Sequence, residues 1–328
     1  MSFYELALPD IKKVERYISG VLEPEPKAVY GMLLPYIMRG GKRIRPMLAV
    51  LCCRAVGGDV SKVIRPAGVI EMFHNFSLIH DDIADDSHFR RGEPTLHMTH
   101  GIPIALNSGD ALYTILWREL ANLDIGPERL VHLQRKYADT FKKVAEGQGT
   151  ELAWEREKRF DITEEEYLSM IGGKTSALIG LSCEAGAYLG GADGGTCGAL
   201  RRFGEGIGAA FQIHDDVLNV TGTFEKYQKE IGGDITEGKR TLMVIHCLRS
   251  CSQAERERIT RVLDGHSREK GEINSVIEAF ERHGSIKYAR EKAARLVADA
   301  REGLSALPES EEKAALSELC GYVVSRET

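Results

Sequence analysis

Apolar positions recur every three to four residues almost from end to end of the chain, and strict alternation of apolar and polar positions is scarce. The pattern predicts an all-α protein. Helices are expected through Ile11–Leu22, Ala28–Met38, Pro46–Val56, Lys62–Asp85, Leu106–Leu123, Pro127–Ala153 and Glu164–Tyr188. Further helices are expected through Cys197–Val220, Thr241–Leu248, Gln253–Leu263, Ile273–Arg282, Ile286–Leu307 and Ser310 to about Val323. The breaks carry turn chemistry: Gly40-Gly41, Gly57-Gly58-Asp59, the run Gly190 to Gly198, and Ile231 to Gly238. Thr163 and Glu166 have the spacing of a capping box. No long linker or low-complexity tract divides the pattern, so a single helical domain over residues 1–328 is expected.

Composition narrows the class. The 328 residues are 43% hydrophobic, enough for a sizeable core, and a formal charge of −6 argues against nucleic acid as a partner. No apolar run spans a bilayer, because the stretch from Leu168 to Gly190 is broken by Lys174 and Glu184. Met1 to Asp10 lacks the order of a secretion signal, and the seven cysteines form no CxxC pair. Cys247 and Cys251 lie one helical turn apart, but no second pair completes a metal site. Buried, reduced thiols and a cytoplasmic location are expected.

The chemistry begins at Leu78-Ile79-His80-Asp81-Asp82-Ile83-Ala84-Asp85-Asp86, which places four carboxylates at the end of an otherwise apolar helix. Asp81 and Asp85 lie about 40° apart around that helix and one turn apart along it, so both reach a common ion. Like charges at that spacing repel, and anions at a helix C-terminus oppose the macrodipole, so the arrangement calls for cations. Phe211-Gln212-Ile213-His214-Asp215-Asp216-Val217-Leu218-Asn219 repeats the design, with oxygen donors at Asp215, Asp216 and Asn219. Either run alone is also what a solvated helix end looks like, but recurrence after His-Asp-Asp in two apolar helices points to Mg²⁺ bridging carboxylates to a diphosphate. An EF-hand calcium loop does not fit the register.

Cations stand nearby in sequence. Gly40-Gly41-Lys42-Arg43-Ile44-Arg45-Pro46 puts three of them behind a flexible turn at a helix start, where side chains and backbone N–H groups fold around phosphate. Arg90-Arg91-Gly92 follows the first acidic run directly. Further candidates are Lys174-Thr175, Lys229, and Asp234 with Lys239 in the segment Gly232 to Thr241, although a lone lysine is ordinarily a surface residue.

Together these motifs resemble the trans-type polyprenyl synthetases, the family of farnesyl and geranylgeranyl diphosphate synthases. The matching segments are Gly40-Gly41-Lys42-Arg43-x-Arg45-Pro46, Glu71-Met72-x-His74, His80-Asp81-Asp82-x-x-Asp85 and Arg90-Arg91-Gly92-x-Pro94-Thr95-x-His97. The series continues with Gly109-Asp110, Gly147-Gln148, Gly173-Lys174-Thr175, Phe211-Gln212-Ile213-x-Asp215-Asp216 and Gly238-Lys239-x-Thr241. The resemblance implies an isoprenoid-synthase helical bundle around a central cavity, a homodimer, and head-to-tail condensation of isopentenyl diphosphate with an allylic diphosphate. It implies that Asp81, Asp85 and Asp215 ligate about three Mg²⁺ ions, with Asp82 and Asp216 in support. Arg90, Lys174, Lys229 and Lys239 would grip the allylic diphosphate, with Gln212 nearby; Lys42, Arg43, Arg45, His74 and Arg91 would hold isopentenyl diphosphate. The Thr175 hydroxyl and the Gln212 amide oxygen would face the allylic cation. Asn219 stands where the family usually has a third aspartate, and Glu151 where an aspartate often follows Gly-Gln; weaker metal binding is the expected result of Asn219.

Chain length in this family is governed by residues just before the first acidic run. Phe76 and the small Ser77, with no insertion in the run, resemble geranylgeranyl diphosphate synthases, so a C20 product is expected, with farnesyl or longer products as alternatives. Helix geometry puts Asp85, Asp81, Ser77 and Phe73 in one row with Phe76 to its side, which makes Phe73 a deeper floor. Two rivals are a terpene cyclase, which has no need of the Lys42-Arg43 site, and a non-catalytic partner subunit, toward which only Asn219 leans.

Overall fold

The computed structural model describes residues 2–22, 25–222 and 231–326. It is all-α, with one two-stranded hairpin in which Phe89–Arg90 pairs antiparallel to Glu93–Pro94. The helices are α1 (Phe3–Val21), α2 (Lys27–Tyr30), α3 (Leu33–Met38), α4 (Ile44–Ala55), α5 (Ile64–Ala84), α6 (Leu96–His100), α7 (Ile102–Ala121), α8 (Pro127–Arg156) and α9 (Glu164–Ile171). They continue with α10 (Ala177–Gly190), α11 (Gly194–Thr221), α12 (Gly233–Thr236), α13 (Leu242–Ser250), α14 (Gln253–Asp264), α15 (Lys270–Arg282), α16 (Ser285–Arg301) and α17 (Glu311–Ser325).

The described residues divide into two compact units. The first draws on Met1–Asp139, Ile179–Arg202 and Gly303–Leu319. Its core is α5 packed along α7, α1 and α4, with Leu48, Leu51, Val69, Ile70, Met72, Leu112 and Leu116 buried. Each such side chain contributes about 1.5–3 kcal/mol by leaving water. Helices α4 and α10 approach so closely that a Cβ on Gly186 would stand 2.1 Å from the Ala49 carbonyl oxygen, so only glycine fits there. The second unit draws on Thr140–Leu178, Phe203–Glu302 and Cys320–Thr328. There α13 packs on α16 and α15, burying Leu242, Val244, Ile245, Val276, Phe280, Ala289 and Ala293.

Several elements depart from the periodicity. Helix α1 starts at Phe3 rather than Ile11, because Ser2 and Glu5 form a capping box and the helix continues through Pro9. The expected helix Ala28–Met38 divides at Gly31-Met32 into α2 and α3. Glu164–Tyr188 is not one regular helix: the Thr163–Glu166 capping box opens α9, and Gly172–Ser176 then widens to a π-turn in which Ala177 N–H bonds to Gly172 O, five residues back. The hairpin turns on Arg91 and Gly92, both at positive φ (54° and 76°), the pattern of a type I′ turn.

The cysteines are free, and all but Cys251 are buried. Burial pushes the thiols of Cys53 and Cys197 up to about 11 and that of Cys247 to about 12. No helix among the described residues is long and apolar enough to cross a membrane.

Candidate active site

In the first unit the acidic run ends α5, with Asp85 as its C-cap. Asp82 turns inward and is 1% exposed: its Oδ1 accepts from Arg90 Nε at 2.8 Å and its Oδ2 from the Tyr36 hydroxyl at 3.0 Å. Burial raises the Asp82 carboxyl above the ordinary aspartate value against the pull of Arg90 and Tyr36. Both Asp82 oxygens therefore belong to the protein, while Asp81 and Asp85 are half-exposed on their shared helical row.

Beside this run stands a group of guanidinium groups around His74. Burial, then the charges of Arg45, Arg91, Arg90 and Arg43, hold the imidazole well below its usual value, so it stays neutral and offers one donor and one acceptor. Burial pushes Arg45 down to about 10, and its Nε has no hydrogen-bond partner among the described residues. Arg91 lies over the backbone of Gly41, whose added Cβ would stand 3.0 Å from Nη2. Arg43 is placed differently from its neighbours. It caps α4 in the left-handed region (φ 48°), and its Nε, Nη1 and Nη2 donate to Glu15 (3.0 Å), Glu71 (2.8 Å) and the Ile37 carbonyl (2.7 Å). Its guanidinium is spent on the fold. Left-handed backbone at Arg43, Asp86 and Arg91 concentrates strain around this cationic group, as is common where a ligand is held.

Phe73, Phe76 and Ser77 precede the run on α5. The Phe76 ring stands 4.6 Å from His80, 4.9 Å from Tyr113 and 5.6 Å from Phe73, and Ser77 Oγ donates to the His74 carbonyl. Phe73 is buried, whereas Phe76 and Ser77 are partly exposed. Tyr113, on α7, closes this aromatic group and was not singled out from sequence.

In the second unit a hydrogen-bonded chain links four side chains. The Thr175 hydroxyl donates to Gln212 Oε1 (2.8 Å), Gln212 Nε2 to Asp216 Oδ1 (2.9 Å), and the Tyr167 hydroxyl to Asp216 Oδ2 (2.8 Å). Burial, with the charge of Asp234 added, pushes the Asp216 carboxyl well above the ordinary aspartate value. The π-turn makes this possible by presenting Lys174 and Thr175 together, and Lys174 pairs with Glu151. That turn presses on α8 at Gly147, where a Cβ would stand 2.3 Å from Lys174 N. Gln148, on the same turn of α8, has both amide atoms buried without a hydrogen-bond partner among the described residues. Asn219 is buried, and its Oδ1 accepts from the Asp234 backbone N–H at 3.1 Å, tying α12 to α11. Lys239 pairs with Glu237 and lies 3.7 Å from Asp234. Arg240 braces that loop by donating to the carbonyls of Arg159 and Gly238 and to Asp264. Lys229 lies outside the described residues.

The two acidic runs are thus built alike. In each, the second aspartate is buried and receives a tyrosine hydroxyl, from Tyr36 or Tyr167, while the first is the more exposed. Neither tyrosine was marked by sequence reasoning, because its partner lies more than forty positions away. No three His, Cys, Asp or Glu side chains among the described residues converge into a ready-made metal cage. The donors nevertheless fit Mg²⁺, an oxygen-seeking ion usually held by one or two carboxylates with water and substrate phosphate completing its shell.

Comparison with known proteins bears on both runs at once. A family profile described as "Polyprenyl synthetase" matches residues 26–280. The chain is 41% identical over 314 residues, 95% of each chain, to a short chain isoprenyl diphosphate synthase of Methanothermobacter thermautotrophicus. It is 37% identical over 317 residues, 96% of this chain and 95% of the other, to a geranylgeranyl pyrophosphate synthase of Geoglobus acetivorans. Its fold superposes on the crystal structure of geranylgeranyl pyrophosphate synthetase from Pyrococcus horikoshii with a TM-score of 0.92 and 33% identity, covering 99% of this chain and 98% of that one. Since the matched span holds the cationic turn, both acidic runs and the Thr175–Gln212–Asp216 chain, the protein belongs to the polyprenyl synthetase family.

Proposed function

We propose that the protein is a Mg²⁺-dependent prenyl diphosphate synthase that condenses isopentenyl diphosphate with allylic diphosphates head to tail, with geranylgeranyl diphosphate as its main product. The observation that carries the reading is the cationic group around a neutral His74 immediately beside the Asp81–Asp85 row, which provides for a second diphosphate next to a metal-bound one. A terpene cyclase, which ionises a single diphosphate, has no use for it.

In this reading Asp81, Asp85 and Asp215 hold the metal, Asp82 and Asp216 fix their neighbours, and Asn219 adds an oxygen while tethering α12. Mg²⁺, when bound, neutralises the departing diphosphate. Arg90, Lys174, Lys229 and Lys239 hold the allylic diphosphate. Lys42, Arg45, His74 and Arg91 hold isopentenyl diphosphate, with Arg43 as their brace through Glu71. The allylic carbon–oxygen bond breaks and its electron pair leaves with diphosphate. The isopentenyl double bond attacks the allylic carbon, and a proton lost to the released diphosphate restores an alkene. Thr175 Oγ and Gln212 Oε1 aim partial negative charge at the cation, and the apolar wall of Phe73 and Phe76 excludes water. A single catalytic domain, a homodimer and a cytoplasmic location complete the reading. Exposed Phe89, Met98, Ile102, Ile104 and Leu106 supply an apolar surface suited to a second copy, and the free, buried thiols suit a reducing compartment.

The test is incubation with Mg²⁺, isopentenyl diphosphate and each allylic diphosphate in turn, followed by chromatography of the dephosphorylated products. A dominant C20 alcohol is expected. A C15 or longer alcohol would retain the reaction and overturn the length; a cyclised hydrocarbon made without isopentenyl diphosphate would overturn the reaction.

A further inference from the structure

Within the second unit, the short segment Glu237–Thr241 leads from α12 into α13 and carries Lys239 and Arg240 side by side. The two cations go to different partners. Lys239 pairs with Glu237 and lies 3.7 Å from Asp234, both carboxylates of its own loop. Arg240 is 3% exposed and reaches beyond the loop. Its Nη2 donates to Asp264 Oδ1 at the end of α14 (2.8 Å), and its Nε donates to the Arg159 carbonyl in the link between α8 and α9 (3.2 Å). The guanidinium carbon stands 4.3 Å from the centre of the Phe160 ring.

The remaining arm bears on Lys239. Nη1 of Arg240 donates to the Gly238 carbonyl, which belongs to the peptide group joining Gly238 to Lys239. The N–H of that same group donates to the Asp234 carbonyl at 2.8 Å. A peptide group is planar with one donor and one acceptor, so both of its polar atoms are fixed immediately before the Lys239 side chain. Gly238 permits the close approach: it turns the chain at φ 73°, and an added Cβ would stand 2.9 Å from the Leu263 carbonyl oxygen.

We propose that Arg240 is a positioning residue for the allylic diphosphate: it clamps the Gly238–Lys239 peptide to α14 and to the α8–α9 link, and so sets where the Lys239 ammonium is presented. The inference rests on the reading of Lys239 as a ligand of that diphosphate. Lysine is a point charge on a flexible stem, and backbone fixed in advance leaves less ordering to be done when the ligand binds. Arginine suits the clamp because its planar fork serves acceptors in three segments while its face stacks on Phe160. Its charge is met by Asp264, with Glu155 contributing, so its effect on Lys239 passes through the backbone.

The experiment is steady-state kinetics of the full chain in Mg²⁺, with geranyl diphosphate and isopentenyl diphosphate varied in turn. Wild type is compared with Arg240→Ala, Arg240→Lys, Asp264→Ala, Lys239→Ala and the double variant Lys239→Ala/Arg240→Ala. Arg240→Ala is expected to raise KM for geranyl diphosphate about tenfold and to leave KM for isopentenyl diphosphate within about twofold. Arg240→Lys and Asp264→Ala should show the same split at smaller amplitude. The double variant should be no worse than Lys239→Ala, since the clamp has nothing to place once the lysine is gone. Additive losses in the double variant overturn the proposal, as do equal rises in both KM values. A lower melting temperature with both KM values unchanged also overturns it, leaving Arg240 a residue of the fold alone. If Arg240→Ala does not fold, Arg240→Lys and Asp264→Ala carry the comparison, each also combined with Lys239→Ala. An unchanged KM for geranyl diphosphate in Lys239→Ala would mean that the reading of Lys239 fails and takes the proposal with it. A raised KM in Lys239→Ala with none in Arg240→Ala sinks the proposal alone.

Discussion

Within the cationic turn, Arg43 is tied into the fold by three hydrogen bonds. Arg43 is buried with Glu71, and removing one partner of a buried pair strands the other's charge at a cost of about 3–5 kcal/mol. Arg43→Ala is therefore expected to lower the urea midpoint sharply, and, with Lys42 read as an isopentenyl diphosphate ligand, Lys42→Ala is expected to raise KM for that substrate about tenfold or more. An Arg43→Ala protein with wild-type stability would show that its three hydrogen bonds do not matter to the fold. Sequence alone does not mark Arg43 as a structural residue, because it stands in the same motif as Lys42 and Arg45 and the fold brings in its acceptors on Glu15, Ile37 and Glu71. The acidic runs were legible for the opposite reason: their carboxylates are close in sequence and share a helix face. Their partners were not, since Tyr36, Tyr167 and Arg326 reach Asp82, Asp216 and Asp215 from 46, 49 and 111 positions away.

Elements follow a similar division. Long amphipathic helices such as α8, α11 and α15 are written in the spacing of their apolar residues, and the structure returns them within a few positions. The π-turn at Gly172–Ser176 leaves no such trace, because one extra residue in a turn barely disturbs the apolar rhythm on either side, yet it sets Lys174 and Thr175 beside Glu151 and Gln212. The pairing of α5 with α7 bears on the product length proposed above. Phe76 and Ser77, with Phe73 as a deeper floor, are the stop expected from sequence, and the Phe76 ring rests on Tyr113 of α7, so in the proposed reading the wall draws on two helices. Phe76→Ala and Tyr113→Ala are each expected to shift products beyond C20, with the larger shift from Phe76→Ala. An unchanged distribution in Phe76→Ala would remove that residue from the wall, and a change only in Tyr113→Ala would move the stop to α7.

At the scale of the whole molecule, the fold class was readable from periodicity, and the family from the order of motifs spread over most of the chain. What composition could not supply was where the apolar surface would remain exposed. Five large apolar residues between Phe89 and Leu106 face solvent, although periodicity would place such residues inside. The cysteines show the converse, with all but Cys251 enclosed and those of Cys53, Cys197 and Cys247 held in the protonated, unreactive form by burial. The protein therefore carries its own clock for opening. An alkylating reagent should mark Cys251 first and the remaining thiols only as the surrounding helices separate, so mass spectrometry over time would read local opening rates at six depths of the native fold without any probe being introduced. Uniform, rapid modification of every thiol would mean that the native packing opens far more readily than its burial suggests.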